Sequence, residues 1–95
     1  MVNDILYESI IELINKNESL YDRWEYNIAK YMAKRWPIAF ELAKENSGDE
    51  NPTVTIIVSS GIEAIDDPKA FVSDLYEVLR TLAKGGQINE SGEWC

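Results

Sequence analysis

The 95-residue chain contains no histidine. That removes the commonest general base, the Ser-His and Cys-His nucleophile pairs and the commonest metal ligand. Its one cysteine, Cys95, has no partner, so an internal disulfide and a cysteine-based zinc or iron–sulfur site are excluded. A reducing compartment, the cytoplasm, is the expected setting. Bases are scarce: nine Lys and Arg face seventeen Asp and Glu, a net charge of −8. Such a balance disfavours nonspecific binding to nucleic acid or an anionic membrane. No apolar run approaches the ~20 residues of a membrane span. The opening MVNDILYE lacks the positive start and long apolar stretch of a signal peptide. No glycine-rich loop fits a Walker or Rossmann pattern. Neither a cofactor nor a metal is expected, and no catalytic residue is assigned.

What is present is a core. Hydrophobic residues form 45% of the chain, too many for a disordered segment. One helical domain is expected over 1–86, followed by a polar tail, QINESGEWC, apolar only at Ile88 and Trp94. Asn3 reads as an N-cap with Asp4 in the first turn. Leu6, Ile10, Leu13 and Ile14 then share one face, with Tyr7 and Ile11 beside them, which predicts a helix to Lys16 with an unusually wide apolar arc. Ser19 followed by Asp22 resembles a capping box. After it Leu20, Tyr21, Trp24, Ile28, Tyr31 and Met32 share a face. Pro37 predicts a break at Trp36 and a short third helix over about 37–46, ended by Gly48 and the polar run SGDEN; one kinked helix over 20–46 is the alternative. Asp67-Pro68 supplies a cap and first residue for a last helix. That helix carries the stripe Phe71, Val72, Leu75, Val78, Leu79 and Leu82 and stops at Gly85-Gly86.

TVTIIVS (53–59) reads as a strand, rich in β-branched residues and preceded by Pro52. The expected fold is therefore mainly α with one β-strand per chain, an α+β arrangement of three to four helices. A lone strand needs a ladder partner. Pairing with a second copy makes Val54, Ile56, Ile57 and Val58 the expected oligomer interface. Local pairing with Gln87–Asn89 is the alternative. The segment NPTVTIIVSSGI resembles strands that follow the helices in small terminase subunits of phage DNA packaging. The resemblance is confined to residues 51–62 and includes no diagnostic residue.

Charge is distributed unevenly. Residues 26–40 hold three positive charges and no acid, whereas from Glu45 onward ten acids face three bases. Arg23, Lys30 and Lys34 cluster on one side of the second helix, flanked by Tyr26 and Asn27. Cations beside aromatics are how proteins hold phosphates and stack bases. A solvated face, or a patch meeting the chain's own acidic half, is the simpler reading. Arg35 falls inside the apolar face, and so either lies past the helix end or reaches a carboxylate at an interface. Trp36, at the break, is placed as a binding anchor. Asp66-Asp67, Asp49-Glu50 and Glu8/Glu12 are better explained by capping, a solvated loop and helix-surface pairing.

These features lead to the expectation of a small, acidic, non-enzymatic homo-oligomer. It would act by contact with another protein, as an adaptor, regulator or inhibitor of the kind found among phage and mobile-element accessory proteins. A nucleic-acid-handling oligomer using the basic stripe and an acidic nucleic-acid mimic are the alternatives.

Overall fold

The computed structural model describes residues 2–95, with backbone alone for residues 2–4. Five α-helices follow one another: α1 (Val2–Lys16), α2 (Glu18–Arg35), α3 (Pro37–Ser47), α4 (Val54–Gly61) and α5 (Pro68–Ala83). A single 3-10 turn, Ile62–Ala64, follows α4. The helix punctuation acts as its chemistry demands. Pro37 is the first residue of α3 after the break at Trp36. Gly48 ends α3 in the left-handed region, with φ of 74°. The Asp67 carboxylate accepts from the Ala70 amide at 3.1 Å and opens α5. Ser19 lies inside α2 and does not start it; α2 begins at Glu18, behind Asn17. Asn3 lies within the span of α1, and the expected contributions of the Asn3 and Asp4 side chains fall outside the described part.

The segment read as a strand is helix α4, and no strand occurs among the described residues. The fold is thus all-helical, not mainly α with one strand. The physical reason lies in the same seven letters. Val54, Ile57, Val58 and Gly61 are spaced i, i+3, i+4 and i+7, and all four are buried. β-branched residues lose a few tenths of a kcal/mol each in a helix. Full burial of a Val or Ile side chain returns about 1.5–3 kcal/mol, so burial decides. Thr53 caps the helix, its Oγ1 accepting from the Ile56 amide at 3.4 Å. The Tyr21 hydroxyl accepts a second orphan donor, the Thr55 amide, at 3.3 Å. The Asn46 side chain donates to the Ser60 carbonyl at 2.8 Å near the other end. With no strand there is no open ladder edge, so the reason for an intersubunit contact at Val54, Ile56, Ile57 and Val58 disappears. Three of the four are fully buried in the chain's own core. The likeness of residues 51–62 to packaging-protein strands loses its basis with them, as does local strand pairing with Gln87–Asn89.

α3 and α4 form a tight helical hairpin. Gly61 sits directly on the backbone of Ala39 and against the Ala43 side chain, so a Cβ at Gly61 would collide with the Ala39 carbonyl. α5 lays Phe71, Leu75, Val78, Leu79 and Leu82 into the core, all buried, and packs on α1 and α2. Leu6, Ile10 and Ile14 of α1 and Tyr21, Ile28, Ala29 and Met32 of α2 complete it.

Candidate docking surfaces

The basic stripe of α2 is engaged by the chain itself. Residues 87–95 fold back on α2 as a small clasp. The Ile88 side chain is buried in the core, and its carbonyl accepts from Asn27 Nδ2 at 2.6 Å. Ile88 and Trp94 form an isolated antiparallel bridge. Asn89 Oδ1 accepts from the amides of Ser91 and Glu93, each at 3.0 Å. Gly92, with φ of 80°, presses on the backbone of Lys30 and Tyr31. The Glu93 carboxylate meets Lys34 Nζ at 3.3 Å, and Trp94 stands edge-on to Tyr31 with centroids 5.6 Å apart. Lys30 Nζ lies 5.4 Å from the Phe40 ring centroid, and the Arg23 guanidinium 5.4 Å from that of Trp24. Of the residues singled out for nucleic acid, Lys34 and Asn27 therefore hold the clasp, while Arg23 and Lys30 lie over aromatic rings.

Arg35 and Trp36 serve a joint between α2 and α5. Arg35 Nε donates to Asp74 Oδ2 at 2.9 Å, and Trp36 Nε1 donates to the same oxygen at 3.0 Å. The Asp74 hydrogen bond, then its charge, raises the Arg35 pKa above its ordinary value. The Trp36 ring rests 5.5 Å from that of Phe71. The carboxylate that Arg35 reaches therefore belongs to the chain's own α5 and not to an interface, and Arg35 is the last residue of α2; Trp36 is half-buried.

A different surface is open. α1 and α5 together line a trough of about 850 Å³. Ile5, Leu6 and Leu13 form one wall, Pro68, Val72 and Tyr76 the other. Two short side chains, Ser9 and Ser73, lie among them and leave the space unfilled. Ile5 is 65% exposed and Tyr76 52%. Lys16 and Lys69 also line the trough, with Glu12 held by Lys16 at 3.1 Å. Sequence reasoning missed this surface because Ile5 and Tyr76 flank two separate core stripes, and nothing local says that the flanks meet. The wide apolar arc of α1 was the one available signal.

Among the described residues no group of three or more Asp, Glu or Cys is placed to hold a metal ion, no helix is long and apolar enough to cross a membrane, and no polar side chain is fully buried. Comparison with protein-family models, with curated proteins and with solved structures finds no match to this chain.

Proposed function

We propose that this chain is a non-enzymatic protein-contact module, an adaptor or regulator, that receives an amphipathic helix of a partner protein in the α1/α5 trough. The observation that carries the reading is the trough itself, a mostly apolar concavity with Ile5 and Tyr76 exposed at its walls. The α1 wall runs from Ile5 to Lys16, about 17 Å at 1.5 Å per residue, which suits a helix of about three turns. Helices seated in grooves anchor through residues at i, i+3 or i+4 and i+7. Two lysines against one glutamate make this face less acidic than the chain as a whole, and they favour a helix flanked by Asp or Glu.

The test is capture with two charge-neutral groove variants, Ile5→Ser and Val72→Ser, beside wild type. A partner held by wild type and lost by both variants supports the reading, provided that its contact segment is helical when bound. A partner retained by both variants removes it. Sedimentation in the same series covers self-association: a wild-type dimer that the variants dissolve makes a second copy the occupant. The nucleic-acid alternative is less favoured, because Lys34 and Asn27 are occupied by residues 87–95.

A further inference from the structure

We infer that the α2 face formed by Lys30, Tyr31 and Lys34 is a peptide-docking site held shut in cis by residues 89–95, and that its external ligand is a protein segment carrying a glycine turn followed by an acidic and an aromatic residue. The seated segment supplies the ligand's chemistry. Asn89 organises the turn by accepting two amides with one oxygen, so the turn is preformed and loses little freedom on docking. Gly92 is the only residue type that fits at its place: a Cβ there would lie 2.5–2.8 Å from backbone atoms of Lys30 and Tyr31. The carboxylate of Glu93 answers Lys34 at 3.3 Å. Trp94 fits between the Tyr31 ring and Gly86, whose added Cβ would meet the indole at 3.3 Å.

The segment is separable from the body. Ile88 is its buried side-chain anchor; beyond it only Gly92, which has no side chain, is buried, and Asn89, Glu90, Ser91, Glu93 and Trp94 are all exposed. Releasing Asn89 onward therefore opens the face without emptying the core. While closed, the tethered segment competes at an effective concentration on the order of millimolar. An external segment engages only when it binds better or when the clasp is loosened. This face is separate from the α1/α5 trough, and the failure of either reading leaves the other standing.

The experiment uses the full chain in two opened forms. Gly92→Val unseats the turn by collision, and Glu93→Lys with Trp94→Ala removes the two side-chain contacts. The probe is the synthetic peptide NESGEW, titrated calorimetrically, with helix content checked by circular dichroism. Both opened forms, fully helical, are expected to bind the peptide at least tenfold more tightly than wild type. A peptide with lysine and alanine in place of its Glu-Trp is expected not to bind. Opened, helical forms that ignore the peptide at millimolar concentration would overturn the proposal. Equal binding by wild type and opened forms would overturn it too, because the site would then lie elsewhere.

Discussion

Helices α5 and α4 both bury their apolar faces, but they are helical for different reasons. α5 is sixteen residues long, opens with Asp67 and Pro68, and keeps a regular stripe with charged residues opposite. Its local preferences and its tertiary place agree. α4 is eight residues long, and five of the first five are Val, Thr or Ile. An isolated helix that short is not stable in water, and its composition favours an extended chain. Beyond the Thr53 cap, what holds α4 helical is the surroundings: Tyr21 at one end, Asn46 near the other, and α3 against Gly61. Secondary structure in α5 is written locally, whereas in α4 it is imposed by packing.

That contrast can be tested by substitution, and the largest effects come from the buried side chains. Leu75→Ala and Ile57→Ala are each expected to lose roughly 2–5 kcal/mol in denaturant unfolding, since both residues are fully buried. A loss at Ile57 below about 0.5 kcal/mol, the surface range, would mean that α4 is not part of the core. Gly61→Ala comes next. Its methyl group meets backbone, which cannot turn aside as a side chain can, and overpacking of this kind costs about 1–3 kcal/mol. Thermal melts should show it clearly less stable than wild type.

The caps follow. Thr53→Ala and Asp67→Ala are each expected to lose about 1 kcal/mol. The consequences differ in reach: amide exchange should quicken throughout α4 in the first variant and only in the opening turn of α5 in the second. The smallest effect is the most telling in sign. Ser59 is exposed on α4, with its hydroxyl bonded back to the Ile56 carbonyl at 3.3 Å. Ser59→Ala should stabilise the chain by a few tenths of a kcal/mol, as alanine does in helices. In a strand alanine is a depleted residue, and the same change would bring a loss.

The same physics explains which parts of the fold could be read from the chain. The Trp36-Pro37 break, the Gly48 stop, the Asp67-Pro68 start and the stripe from Phe71 to Leu82 rest on signals contained within a few residues, and the structure places each where they indicate. Residues 53–59 carry two periods at once. Thr-Val-Thr-Ile-Ile-Val satisfies an alternating pattern, and Val54, Ile57 and Val58 satisfy a helical one; the helices packed around the segment, α3 foremost, select between them. The clasp is legible only in its charge: a basic stripe meeting the chain's own acidic half is part of the simpler reading, and Lys34 meets Glu93, but the folded form of the segment is not legible. Nothing in QINESGEWC is apolar except Ile88 and Trp94, and its order derives from α2, more than fifty residues earlier in the chain. The trough is a property of two helix flanks, so no single segment announces it.

The three tryptophans occupy three different settings. Trp36 donates to a carboxylate at the α2–α5 joint. Trp24 is half-buried beneath the Arg23 guanidinium. Trp94 lies partly in solvent on the clasp, against Tyr31. An indole's emission depends on its polarity and neighbours, so each ring reports on one part of the molecule. Replacing two of the three by phenylalanine leaves a chain whose fluorescence follows the joint, the α2 surface or the clasp alone. The protein thus carries its own optical labels, and the order in which its parts loosen on heating becomes a spectrum to be measured without attaching a dye.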